Sequence, residues 1–203
     1  VSVSDDGGLT WHNAQRLTSG SILPDGNWGD GHSENSDISA DGRFVAFVSE
    51  ATDLTANPQP ARLPQIYVRD LLTGAMQLAS RSLSGGGGNG PSGAPQLSED
   101  GRYLLFESDA SDLVDGDENK TKDVFVRDLQ ENRTFAISVK GDGTGTGNGI
   151  SGSARLSADG HFVVFQSSAA NLIVTADSNL APSEVYVRSL EQGLTQRISQ
   201  PTI

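Results

Sequence analysis

The sequence contains no cysteine, so no disulfide braces the fold and thiol chemistry is excluded. Basic residues are scarce: 14 Lys and Arg stand against 26 Asp and Glu, a formal charge of -12, which disfavours nucleic acid or an anionic membrane as a partner and leaves room for cations. Long apolar runs are missing as well. The longest are strand-sized, such as FVAFV from Phe44 to Val48, far below the roughly 20 residues of a spanning helix, so no membrane insertion is expected. No stretch carries a helical period with caps at both ends. Nor is there a charged-then-apolar leader, and a chain opening on Val1 reads as a processed or excised piece.

What is present is a repeat. SDISADGRFVAFVSEATDL from Ser36, PQLSEDGRYLLFESDASDL from Pro95 and ARLSADGHFVVFQSSAANL from Ala154 align without gaps, their Asp-Gly pairs at Asp41, Asp100 and Asp159 keeping a step of 59. Upstream, Asp30-Gly31-x-Ser33, Asn89-Gly90-x-Ser92 and Asn148-Gly149-x-Ser151 keep the same step; downstream, so do Asp53, Asp112 and Asn171. A third block follows (IYVRDL from Ile66, VFVRDL from Val124, VYVRSL from Val185) and then a fourth (MQLAS, TFAIS, TQRIS).

Four short segments rich in β-branched and aromatic residues, divided by turn residues, predict four strands, a to d, per repeat. The a-to-b link is Asp-Gly, whose glycine accepts positive φ in a tight hairpin. Strand b is apolar at nearly every position, so both of its faces must be covered, which stacked blades achieve and a sheet with one wet face does not. The expected fold is all-β: a β-propeller of four-stranded antiparallel blades, with residues 30–88, 89–147 and 148–203 as three full blades and residues 1–29 as a half blade and linker. Three and a half blades do not close a ring, so further blades or other protein chains are expected as partners.

The pattern Ser-x-Asp-Gly-Arg-Tyr/Phe, then Phe-x-Ser, Asn/Asp-Leu and Asp-Val-Phe-Val-Arg-Asp resembles the TolB-like and WD-like propeller repeats of bacterial envelope and secreted proteins. SDDGGLTW, from Ser4 to Trp11, resembles the Asp-box of sialidases and other propellers. Counted back from Asp41, it falls on the c-to-d turn of the half blade, where it satisfies its own backbone and reads as a structural turn. The resemblance implies a binding and assembly scaffold rather than a particular chemistry.

The candidate site residues lie in the b-to-c loops. In DLVDGDENKTKDVF, Asp115, Asp117, Asn119, Thr121 and Asp123 alternate, placing oxygen side chains at positions 1, 3, 5, 7 and 9 of a calcium loop. Lys120 replaces the EF-hand glycine and no glutamate follows, so this is not an EF-hand. Asp177, Asn179 and Glu184 form a looser version in the third blade, and the first-blade loop has three prolines in place of the carboxylates. The competing reading is a solvated acidic loop whose Asp and Asn cap turns. Related repeats carrying Asp-x-Asn then Asp at this place imply Ca²⁺.

The d-to-a loops are glycine-rich, but a strand rather than a helix follows them, against nucleotide binding. Their repeated Asn/Asp-Gly-x-Ser is expected to close a turn where the chain crosses to the next blade. Arg69, Arg127 and Arg188 recur once per blade and read as blade-to-blade ion pairs or hydrogen-bond donors, since an arginine cluster for a carboxylated ligand would break the repeat. Asn119-Lys120-Thr121 and Asn132-Arg133-Thr134 match the glycosylation pattern. The histidines, His12, His32 and His161, belong to no catalytic motif.

The expected function is therefore a non-enzymatic, extracellular or envelope β-propeller, calcium-stabilised, serving as a structural or adhesive scaffold that includes the subunit of a polymer or filament. The alternatives are half of a glycan-active, sialidase-like enzyme, with glycan as partner, or a periplasmic protein-binding module of TolB type.

Overall fold

In the computed structural model, residues 29–56, 62–174 and 183–199 are described. The Asp-box and the expected half blade lie outside them.

Twelve strands form three four-stranded antiparallel sheets, each meandering in chain order. Blade 1 holds β1 (Ser33–Ile38), β2 (Phe44–Ser49), β3 (Gln65–Asp70) and β4 (Met76–Leu78). Blade 2 holds β5 (Ser92–Leu97), β6 (Tyr103–Ser108), β7 (Asp123–Asp128) and β8 (Arg133–Ala136), and blade 3 holds β9 (Ser151–Leu156), β10 (Phe162–Ser167), β11 (Glu184–Ser189) and β12 (Thr195–Arg197). The all-β propeller-blade architecture read from the repeat is the one observed.

The blades pack face to face, β5 lying across β1, β2 and β3, and β9 across β5, β6 and β7. Alternation along β6 divides its side chains between the two interfaces, as a period of two requires. Leu104 and Phe106 join Ala46, Val48, Ile66 and Val68 between blades 1 and 2. Leu105 joins Val124, Val126, Leu156, Val163 and Phe165 between blades 2 and 3. Within each blade, facing residues of the second and third strands stack: Phe47 on Tyr67, Phe106 on Phe125 and Phe165 on Tyr186, with centroids 5.6 to 6.0 Å apart. Burying each such ring contributes on the order of 2–3 kcal/mol.

Every Asp-Gly hairpin is wired alike. In blade 2, Ser98 Oγ donates to Asp100 Oδ1 at 2.6 Å, while the Arg102 amide donates to the same oxygen and the Tyr103 amide to Ser98 Oγ. The hairpins also join the blades: Ala40 N donates to Glu99 O, and Glu99 N to Ala158 O. Gly101 sits so close over Phe44 that a Cβ there would come within 2.4 Å of the ring, and Gly160 bears on Tyr103 in the same way.

The Asn/Asp-Gly pairs do more than close a turn. Asn89 N donates to Asp112 Oδ1 at 2.9 Å and Ser111 N donates to Asn89 Oδ1 at 2.8 Å, a reciprocal bracket between the crossing segment and the chain leaving β6. Asp30 with Asp53 and Thr52, and Asn148 with Asn171 and Ala170, repeat it. Gly90 follows because a Cβ there would lie 2.6 Å from the Asp109 carbonyl carbon.

One expectation fails in blade 3. Strand b is covered on both faces in β2, and nearly so in β6, but β10 alternates exposed and buried residues, with Phe162 48% and Val164 39% exposed. Their counterparts Phe44, Ala46, Tyr103 and Leu105 lie under the following blade.

Candidate functional site

The acidic loop of blade 2 runs from β6 to β7 and is pressed against the segment crossing to blade 3. Gly145 approaches Gly116 so closely that a Cβ would meet Gly116 O at 2.1 Å, and Thr146 N donates to the same carbonyl at 3.3 Å. This backbone-on-backbone contact, open only to glycine, buries the loop's central carboxylate.

Asp117 is 8% exposed, and its Oδ1 accepts from Thr146 Oγ1 at 2.9 Å. Its Oδ2 is buried without a hydrogen-bond partner, as is the hydroxyl of Thr121. Asp123, the first residue of β7, is wholly buried; Oδ1 accepts from Ser138 Oγ at 2.6 Å and Oδ2 from Asn119 Nδ2 at 2.7 Å. Burial lifts the Asp123 carboxyl to about 7, against the opposing bonds from Ser138 and Asn119, and the Asp117 charge pushes the same way. Burial raises Asp117 too. Two buried carboxylates thus act on each other, one of them with an unpartnered oxygen, chemistry that suits a hard cation.

The other expected ligands are exposed, engaged in hydrogen bonds or outside the described residues. Asp115 is exposed. Asn119 turns its oxygen to the Thr121 amide at 2.8 Å and its NH₂ to Asp123 and Gly147 O. Glu184 accepts from Ser199 Oγ, while Asp177 and Asn179 lie outside the described residues. Among the described residues no group of three or more His, Asp and Glu side chains converges.

Comparison between blades explains part of this arrangement. At the position of Asp123, blade 1 has Gln65, whose Oε1 accepts from Ser80 Oγ at 2.6 Å while Nε2 donates to Gly88 O and Gly90 O. Asp123 and Asn119 together make the equivalent bonds, to Ser138 and to Gly147 O. Ser80, Ser138 and Ser199 also accept from the amides of Ile66, Val124 and Val185. The loop residues therefore serve a latch joining the third and fourth strands. Sequence reasoning overlooked it, although its signal was the serine closing every fourth block.

Of the repeated arginines, Arg127 and Arg188 are hydrogen-bond donors as expected, but not across the blades. Arg127 Nη1 donates to Thr134 Oγ1 at 2.9 Å and Arg188 Nη1 to Thr195 Oγ1 at 2.7 Å, bonds within a blade rather than between blades. His32 pairs with Glu34 at 3.3 Å and His161 with Asp159 at 3.5 Å, both on the surface.

No protein-family model matches the chain. No curated protein sequence matches it. Similar folds occur among solved structures. A putative TolB from Agrobacterium tumefaciens aligns over 82% of this chain and 48% of its own, at 16% identity and a TM-score of 0.47. The β-propeller domain of the Trilobed protease from Pyrococcus furiosus aligns over 85% of this chain and 44% of its own, at 13% identity and a TM-score of 0.49. An oligogalacturonate lyase from Vibrio parahaemolyticus aligns over 83% and 41%, at 13% identity and a TM-score of 0.47. The chain spans less than half the length of each. No helix among the described residues is long and apolar enough to cross a membrane.

Proposed function

We propose that this chain is a non-enzymatic scaffold segment of a β-propeller that works by binding protein, in the cell envelope or outside the cell, with Ca²⁺ stiffening the second blade. The observation that carries the reading is the open face of blade 3. Phe162, Val164 and Ile198 are 48%, 39% and 48% exposed, and Val185 and Val187 beside them are half-buried. Their counterparts in blade 2, Tyr103, Leu105, Ile137, Val124 and Val126, pack under blade 3. An apolar face shaped by the repeat to receive a blade suits another blade, from a longer chain or a second copy.

Asp117 and Asp123, with the Thr121 and Thr146 hydroxyls, are the groups that would hold Ca²⁺. The unpartnered Asp117 Oδ2 and Thr121 Oγ1 support this, since buried polar atoms are ordinarily satisfied. Bound cation would neutralise the carboxylates and fix the b-to-c loop against the crossing segment.

Light scattering across protein concentration tests the scaffold. Association of the chain that Val164→Lys abolishes is expected; a monomer at every concentration overturns self-association through this face. Melting with calcium and with chelator tests the metal. A calcium-dependent rise of several degrees, lost in the Asp117→Asn, Asp123→Asn double variant, is expected, and an unchanged transition overturns it.

A further inference from the structure

The outer edge of blade 2 carries a feature that the scaffold reading leaves unused: a groove of about 1230 Å³ beside β8, lined by Arg81, Arg127 and Arg133 among others. Arg127 is 3% exposed, yet its hydrogen bonds go only to the neutral oxygens of Thr134 and Asn132, and its Nε is buried without a partner. Burial, and then the like charge of Arg81 nearby, hold its guanidinium below the ordinary value. Of the carboxylates on the groove wall, Asp128 is taken by Arg102 at 2.7 Å, and Asp115 and Glu131 are exposed to solvent. Among the described residues none lies within ion-pair distance of Arg81, Arg127 or Arg133. A buried cation beside a second cation is costly unless an anion joins them.

The repeat shows that this is not the ordinary fate of a strand-c arginine. Arg69 and Arg188, its counterparts, are only half-buried. Arg81 stands where blade 2 has Val139, in the matching bridge to the crossing loop, and Arg133 stands where the other blades have Ala75 and Leu194. Two arginines foreign to the repeat thus gather around a repeated one, the departure expected of a site for a carboxylated ligand.

The groove also offers more than charge. β8 is the edge of its sheet, so one row of its backbone donors and acceptors has no strand beside it. Leu83, 62% exposed, and Phe135, 37% exposed, flank the arginines. A free strand edge, two apolar side chains and uncompensated guanidiniums match an extended acidic peptide, main chain on the edge and carboxylates on the arginines. We propose that the groove beside β8 binds a carboxylate-bearing peptide as an added strand, with one carboxylate set against Arg81 and Arg127. The groove shares no residue with the exposed Phe162 face of blade 3, and the proposal stands or falls independently of the scaffold reading.

Fluorescence anisotropy with a labelled octapeptide of alternating Val and Glu, and its Gln counterpart, tests this. The chain's net charge of -12 repels an acidic peptide in general, so binding reports a local site. The Glu peptide is expected to bind at least about tenfold more tightly than the Gln peptide, and less tightly as salt rises. Arg81 and Arg133 are exposed, so Arg81→Gln and Arg133→Gln should not lower the melting temperature, while each weakens binding of the Glu peptide severalfold; Arg155→Gln, away from the groove, should leave binding unchanged. Equal binding of both peptides, indifference to Arg81→Gln, or no binding at about 1 mM overturns the proposal. So does binding of inorganic phosphate alone that is lost in Arg81→Gln without any peptide binding, which leaves a bare anion site.

Discussion

Arg43 grips Asp70 with two parallel bonds, Nε to Oδ1 at 3.2 Å and Nη2 to Oδ2 at 2.8 Å, tying the Asp-Gly hairpin to the end of the third strand. In blade 2 Arg102 ties Asp128 through a single oxygen, Nε and Nη2 both donating to Oδ2. In blade 3 both members change together, to His161 and Ser189. A buried carboxylate without its guanidinium would be costlier than no pair at all, which is a physical reason for the joint replacement.

Removing one member should therefore hurt. Asp128, its side chain 4% exposed, also accepts from the amides of Gln130 and Glu131, so Asp128→Ala strips the turn and strands Arg102. A loss of about 2–3 kcal/mol in urea unfolding is expected, below the full value for a buried pair because a third of the Arg102 side chain meets solvent. Building the tie into blade 3 with His161→Arg and Ser189→Asp should show positive coupling of about 0.5–1 kcal/mol in a double-mutant cycle. Additive single effects would deny that the pair is a unit.

Asp123 sets a pH dependence with a definite sign. Its folded carboxyl titrates at about 7, above the ordinary value of 3.8, so the folded chain holds a proton that the unfolded chain releases. Stability from this group is complete below about pH 4, declines as pH climbs toward 7 and levels off beyond. In chelator, melting temperature should fall across that window, and Asp123→Asn should flatten the fall. Saturating calcium should reverse it, since the metal binds the ionised form. An identical slope in Asp123→Asn would locate the dependence elsewhere.

For the three described blades, strand number, order and hairpins are legible in the repeat, because Asp-Gly turns and apolar segments act locally. The latch was harder to see. Gln65 and the Asn119–Asp123 pair make the same bonds with different atoms, so equivalence at that position is chemical rather than textual. Alternate spacing likewise promised five inward ligands, but Gly116 and Gly145 draw the loop onto its neighbour, leaving Asp115 exposed and committing Asn119 to hydrogen bonds. The groove at Arg81 was invisible because its walls come from different blades.

Equivalent apolar positions should respond unequally. Tyr103 packs on Gly160 beneath blade 3, whereas Phe162 is half in solvent. Tyr103→Ala is expected to cost about 2 kcal/mol and Phe162→Ala less than about 1 kcal/mol when the isolated chain is unfolded by urea. Equal costs would mean that the Phe162 face is covered in solution, and the difference should then reappear on dilution.

The reciprocal bracket separates a side-chain contribution from a backbone one at adjacent residues. Asn89→Ala removes the acceptor of the Ser111 amide and the Nδ2 donor to Ser111 Oγ, leaving both Ser111 groups to water, an exposed loss of about 1 kcal/mol. Gly90→Ala places a methyl group 2.6 to 2.7 Å from the Asp109 and Ala110 backbone, where no flexible side chain can yield. The crossing segment must then move away from the chain leaving β6, breaking the bond from Asn89 N to Asp112 and straining the bond from Asp109 N to Pro91 O. Gly90→Ala should therefore cost at least about 3 kcal/mol, more than Asn89→Ala, although it adds one methyl group and deletes nothing. Chemical denaturation of the two variants measures the ordering, and amide exchange at Asp109 should rise in Gly90→Ala alone. The reverse order would show that side-chain bonds, not backbone contact, hold the crossing in place.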